Sequence, residues 1–254
     1  MNIVTDINAW QQFRKTIQNK TIGFVPTMGN LHAGHLSLCQ RAKSETDITV
    51  VSLFVNPHQF DQAVDFKQYN LAQNIKQDQV LLESANVDVM FLPTIEMMYP
   101  DNYEVQVAEN VESTILEGAC RKGHFTGVLT VVLKLFNLIM PTRAYFGEKD
   151  YQQCLLVKKM VQSLFLPIEI ISCKTVRDFD GLAYSSRNAR LTLKERKRAA
   201  LFAEILRSGH DVLQVEKNLL QSGFAVEYVA DHWGRRLAAV KLGNVRLIDN
   251  IEIK

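Results

Sequence analysis

Apolar runs that leave little face for water, alternating with helix-spaced segments, constrain this chain more than any other feature. Residues 21–27 (TIGFVPT) and 48–55 (ITVVSLFV) are the clearest runs; residues 87–92, 144–147 and 168–172 continue the series. Residues 35–46, 73–85, 126–139 and 151–164 have helical spacing, and 126–139 is apolar nearly all round. Strands buried on both faces and alternating with helices predict an α/β fold: a Rossmann-like parallel sheet covered by helices. Such a sheet receives ligands beyond the carboxyl ends of its strands.

The pattern changes after about Lys174. Residues 177–181 are polar and turn-like. A long amphipathic helix is expected from near Thr192, with Ala199, Phe202, Ala203, Leu206 and Leu213 on one face. Short strands are expected near 225–229, 237–241 and 245–248. The expected organisation is residues 1–174 as a Rossmann-like domain and residues 175–254 as a smaller α+β domain.

Composition removes several classes. The 254 residues are 47% hydrophobic and 22% charged, which suits a folded chain with a sizeable core. A net charge of +2 is too even for a protein whose main task is gripping a nucleic acid backbone. The basic run at 194–198 (KERKR) reads as the wet face of a helix. Cys39, Cys120, Cys154 and Cys173 form no CxxC pair, so reduced and mostly buried thiols are expected. The first fifteen residues lack an apolar signal core, and residues 128–140 are broken by Lys134 and Asn137. The expectation is a cytoplasmic protein with no membrane partner.

Chemistry concentrates at four places. The strongest is 26–35, PTMGNLHAGH, between a strand and a helix. Gly29 and Gly34 admit close backbone approach, and the helix start offers N–H groups and partial positive charge to a phosphate. His32 and His35 lie three residues apart, where two imidazoles can donate to phosphoryl oxygens. A metal would need a third ligand, and none is close in sequence. The second place is 147–153, GEKDYQQ, where Lys149 suits a phosphate and Asp150 a ribose hydroxyl or a lysine. The third is 180–188, DGLAYSSRN, whose serines and arginine make a phosphate clamp. The fourth is 54–60, FVNPHQF. Its amides Asn56 and Gln59, with Gln153, suit a hydroxy acid whose carboxylate must stay free to react. His58 is expected to face solvent.

Six ordered segments carry a resemblance: VPTMGNLHAGH, FVNPHQF, EGACRKGHFTGVLTVVLKLFN, FGEKDYQQ, VRDFDGLAYSSRN and the terminal RLIDN. Along nearly its whole length the chain resembles the pantothenate synthetase (pantoate–β-alanine ligase) family, within the wider HxGH nucleotidyltransferases. The resemblance implies condensation of pantoate with β-alanine by ATP through a pantoyl-adenylate, releasing AMP and pyrophosphate. It also implies Mg²⁺, a homodimer and a smaller C-terminal lid. Carried over by position, Met28, Gly29, Asn30, Leu31, His32, Ala33, Gly34 and His35 line the ATP site, with His35 as proton donor. Gly147, Glu148, Lys149, Asp150, Val176, Tyr184, Ser185, Ser186 and Arg187 complete it. Gln59 and Gln153 hold pantoate, and Gln59 also contacts β-alanine. Asp78 aligns with an acidic position linked to the metal, but no protein ligand for Mg²⁺ is assigned. The chain departs from the family pattern at Tyr184, where methionine is usual, and at Lys122, where proline is usual. It departs again at residues 69–72 and in a short stretch between Tyr228 and Leu237. A rival nucleotidyl transfer to a phosphate would call for more Arg or Lys than Asn56, Gln59 and Gln153 supply.

Overall fold

Six of the strands form one parallel sheet, in the order β1-β4-β3-β2-β5-β6. They are β1 (Asn2–Val4), β2 (Ile22–Thr27), β3 (Ile48–Leu53), β4 (Val89–Phe91), β5 (Arg143–Gly147) and β6 (Glu169–Cys173). The computed structural model describes residues 1–60 and 71–253, with the backbone alone for 71–73. Tyr69 and Asn70 therefore lie outside the described residues.

Among the described residues, the longer helices around this sheet are α1 (Ile7–Thr16), α2 (Ala33–Glu45), α3 (Leu71–Ser84), α4 (His124–Ile139) and α5 (Tyr151–Ser163). Period-two alternation explains the two cores. Along β2, Ile22 and Phe24 enter one core, which α1, α4 and α5 close with Trp10, Phe136 and Val157. Val25 enters the other, closed by Leu38, Cys39 and Ala42 of α2 and Leu82 of α3. Each large side chain so buried contributes roughly 1.5–3 kcal/mol.

β1 and α1 are additions to the sequence expectation. β1 is a three-residue edge strand paired with β4. Asp6 caps α1 by accepting from the Ala9 amide at 2.7 Å. Trp10 is fully buried and donates from Nε1 to the Leu138 carbonyl at 2.6 Å, tying α1 to α4.

The C-terminal stretch has its own core and an antiparallel sheet of β7 (Ala225–His232), β8 (Arg235–Leu242) and β9 (Val245–Glu252). The expected single long helix is corrected to two. α6 (Leu193–Leu206) starts at a capping box of Thr192 and Glu195. The chain then breaks at Gly209, with φ 76°, and restarts as α7 (Val212–Gln221) under an Asp211 cap. Leu213 is consequently 77% exposed rather than on the apolar face, which continues through Val215 and Leu219. The short stretch after Tyr228 is a hairpin whose two turn residues, Trp233 and Gly234, both have positive φ.

The residues pack as two compact units. The first comprises Met1–Leu31, His35–Gly147 and Gln152–Cys173; the second comprises His32–Gly34, Glu148–Tyr151 and Lys174–Lys254. Cys39, Cys154 and Cys173 are buried and Cys120 is exposed. Among the described residues no helix is long and apolar enough to cross a membrane.

Candidate active site

β2 has β3 on one side and β5 on the other, so the order of connection reverses beside it. In an open parallel sheet that reversal opens a crevice at the carboxyl ends. β2 ends at Thr27 and β5 at Gly147, so the PTMGNLHAGH and GEKDYQQ segments leave the sheet from neighbouring strands.

In the first unit, the turn after β2 is held from below. Thr27 Oγ1 donates to the Ser52 carbonyl at 2.8 Å and accepts from the Gly29 amide at 3.2 Å. Gly29 and Asn30 both adopt positive φ, 83° and 54°. Asp78, 1% exposed, accepts from the Asn30 and Leu31 amides, each at 2.8 Å. Burial raises the Asp78 carboxyl pKa, and those two amides oppose the shift. Asn74 adds a bond from its amide to Asn30 Oδ1. His35 follows in the first turn of α2.

Gln59 and Met28 meet in the same unit, Gln59 Nε2 reaching Met28 Sδ. The Gln59 carbonyl accepts from His124 Nδ1 at 2.7 Å and Arg121 Nη2 at 3.2 Å. Asn56 is 1% exposed and its amide is spent inside the protein. It donates to the Gly127 carbonyl and Gln59 Oε1, and accepts from Tyr99 Oη and the His58 amide. Asn56 therefore holds Gln59 and does not present itself to a ligand. His58 is only partly open to solvent: it stacks on Tyr103 at 3.7 Å and meets the edge of Tyr99 at 4.7 Å. Gly127 is required because a Cβ there would lie 2.2 Å from the His58 carbonyl oxygen. Gln152 is buried and binds the Glu112 and Ile115 carbonyls and the Glu117 amide. Gln153 is half-buried, and among the described residues its side-chain amide has no hydrogen-bond partner.

The second unit gathers the other candidates. His32 Nδ1 accepts from the Gly34 amide at 3.1 Å, which puts the ring proton of the neutral form on Nε2. A Cβ at Gly34 would lie 3.0 Å from that ring, so glycine makes room for it. Burial, then the Lys149 ammonium, hold the His32 pKa down to about 4, against an opposing pull from Asp150. His32 is thus a neutral hydrogen-bond donor at neutral pH. Tyr184 packs its ring near-parallel to His32, with centroids 6.2 Å apart, and its amide donates to the Val176 carbonyl. Ser185 caps the turn Ser186–Arg190 by accepting from the Arg187 amide. Lys149, Ser185, Arg187 and Arg246 line one recess.

Among the described residues, no three His, Cys, Asp or Glu side chains converge as a metal site. Sequence reasoning also passed over Tyr99, which lies in no motif, and Arg121, His124 and Gly127, whose signal was the GACRKGHFTG segment. Asp78 and Asn74 hold the turn from a helix that carries no motif of its own.

A helix-covered parallel sheet whose switch-point strand opens into an HxGH helix start defines a nucleotide-handling α/β class. The family model described as pantoate–β-alanine ligase matches residues 2–252. A pantothenate synthetase of Legionella pneumophila (strain Corby) is 50% identical over 251 residues, 98% of this chain and 99% of that one. One of Bdellovibrio bacteriovorus is 49% identical over 249 residues, 98% of this chain and 97% of the relative. The crystal structure of a Francisella tularensis pantoate–β-alanine ligase, complexed with β,γ-ATP and β-alanine, superposes with a TM-score of 0.93. It is 41% identical and covers 99% of this chain and 97% of that one. The chain belongs to the pantoate–β-alanine ligase family and is a ligase of pantothenate biosynthesis.

Proposed function

We propose that the chain activates pantoate with ATP as a pantoyl-adenylate and passes the pantoyl group to β-alanine. A pantoate carboxylate is ionised at neutral pH and needs no general base. One of its oxygens bonds to the α-phosphorus while the bond to the bridging oxygen of pyrophosphate breaks. The neutral amine of β-alanine then bonds to the acyl carbon, AMP leaves with the bonding pair, and the amine loses a proton. Both steps depend on placement and on charge neutralisation more than on strong acid–base power.

Residues 28–35, 147–150, Val176 and 184–187 bind ATP in this reading, with residues 1–174 as the ATP- and pantoate-binding domain and 175–254 as its lid. His32 supplies a neutral N–H donor and Lys149 and Arg187 supply cations. His35 donates a proton or hydrogen bond to the phosphoryl oxygens. Gln59 and Gln153 orient pantoate without binding its carboxylate as tightly as an arginine would. The observation that supports the reading is that Lys149, Ser185, Arg187 and Arg246 come together around one small recess, although they belong to three segments far apart in sequence. Mg²⁺ is implied by the family resemblance, but the donor set does not fit a protein-held ion. Both Asp78 oxygens are taken by backbone amides, and no cluster of three donors is found among the described residues. No step is routed through the ion. A homodimer is likewise carried from the resemblance and a cytoplasmic location from the sequence expectation, and sedimentation tests the dimer.

Pyrophosphate release from ATP tests the reaction. It should occur with pantoate alone, should not occur with β-alanine alone, and should yield pantothenate only with both. His35→Ala should cut the pantoate-dependent release about 100- to 1000-fold in a folded protein, the usual cost of losing one transition-state donor. Normal release would remove His35 from the chemistry.

A further inference from the structure

The terminal RLIDN run matches the family but has no part in the reaction above. In the second unit, β9 places Asp249 and Asn250 at 3% and 2% exposure. Asp249 is locked by Arg177, whose two Nη atoms donate to its carboxylate at 2.6 and 2.9 Å. It also accepts from the Asn250 amide N–H at 2.8 Å. This fixes the strand at the point where the Asn250 side chain leaves it.

That side chain reaches back about a hundred positions in sequence. Its Nδ2 donates to the Glu148 carbonyl at 2.8 Å and the Lys149 carbonyl at 3.0 Å. Its Oδ1 accepts from Arg235 Nη1 at 2.8 Å. Both amide protons are thus spent on two successive carbonyls, which point the same way because residues 148–150 form a turn of 3₁₀ helix. Arg235, 8% exposed, closes the arrangement: its Nη2 donates to Glu148 Oε2 at 2.8 Å, and its guanidinium lies 4.3 Å from the Tyr151 ring centroid. Neither aspartate nor alanine can replace Asn250 here. A carboxylate would face two carbonyl oxygens, and alanine would leave both without their donor.

The backbone so held is that of Lys149, a residue that lines the recess with Ser185 and Arg187 and whose ammonium lies 3.8 Å from Asp150 Oδ1. We propose that Asn250, backed by Arg235, is a positioning residue that sets the Lys149 backbone for phosphate contact. The inference rests on the reading of Lys149 as a phosphate cation.

The test is a cycle of Asn250→Ala, Lys149→Ala and the double variant, with Asn250→Asp alongside. Pantoate-dependent pyrophosphate release is measured against ATP and pantoate concentration. Asn250→Ala should lower kcat by roughly 30- to 100-fold, the scale of a 1 Å misplacement of a reacting group. The pantoate KM should stay within about twofold, and Asn250→Asp should be no better than alanine. The double variant should be no slower than Lys149→Ala, because the amide acts through that lysine. A wild-type kcat in Asn250→Ala, or losses that multiply in the double variant, would overturn the proposal. Full activity in Lys149→Ala would instead remove the phosphate-cation reading, and the proposal with it. If thermal unfolding shows that Asn250→Ala does not fold, Arg235→Lys takes its place in the same cycle. It keeps the charge and loses the planar fork, and its loss should likewise vanish in the Lys149→Ala background; persistence of the loss would overturn the proposal.

Discussion

Gln152 and Gln153 share one chemistry and adjoin in sequence, yet their surroundings separate them. Gln152 satisfies two carbonyls and one amide in the protein interior; Gln153 spends its amide on none of the described residues. Gln152→Ala should therefore destabilise the fold by about 1–3 kcal/mol through unsatisfied backbone groups, read as a lower unfolding midpoint. Gln153→Ala should leave that midpoint alone and raise the pantoate KM, with ATP binding unchanged. Loss of ATP binding to the same degree would count against a pantoate role. His32 makes a different prediction. Its ordinary pKa of 6.5 falls to about 4 in the folded protein, mainly through burial. Above pH 6.5 the ring is neutral folded or unfolded and contributes nothing. Between pH 6.5 and 4 the unfolded chain takes a proton that the folded one refuses, so stability falls as the pH falls through that window. Denaturant unfolding of the substrate-free protein should show a smaller loss over that window in His32→Gln than in the wild type.

Elements differ in how far their sequence betrays them. β2 and β3 were legible because residues that are apolar on both faces have few other folds to enter. β1 was not, since three residues at a sheet edge carry no period, and its existence depends on β4, far along the chain. The break between α6 and α7 had a local signal, Gly209 followed by the Asp211 cap, and the apolar spacing of Leu213 overrode it wrongly. α4 shows what periodicity cannot show. Its apolar surface is obvious, but Gly127 matters because the turn Pro57–Gln59 lies against it. Gly127→Ala should push that turn away, costing roughly 1–3 kcal/mol as overpacking does. The pantoate KM should rise with it, because Asn56 and Gln59 ride on the same turn. An unchanged midpoint and KM would show that the turn yields freely.

The whole molecule carries a site whose motifs were readable and whose supports were not. HxGH, GEKD and SSR announce themselves because each concentrates its chemistry in a few consecutive residues. Their supports come from remote positions: Asp78 under Asn30 and Leu31, Asn250 under Glu148 and Lys149. The second unit itself is assembled from three separate stretches of chain, including only His32–Gly34 from the first motif. Such pairings depend on topology, which no window of sequence contains. Arg187 tests the reaction at this scale. Arg187→Ala should slow adenylation roughly 10- to 100-fold, the worth of one charge-assisted contact. It should also raise AMP formed above pantothenate formed, as water reaches the adenylate before the amine. A one-to-one ratio at the wild-type rate would leave Arg187 outside the clamp.

The unequal burial of the four thiols makes the native protein its own reporter. Cys120 is open to a maleimide, while Cys39, Cys154 and Cys173 are shut inside, and burial lifts the Cys39 pKa to about 12, so thiolate is scarce there as well. One equivalent of label should enter at once and the rest only as the fold opens. Any molecule that binds the folded form slows that second phase in proportion to its occupancy. Labelling kinetics would then rank the affinities of substrates even for variants that no longer turn over.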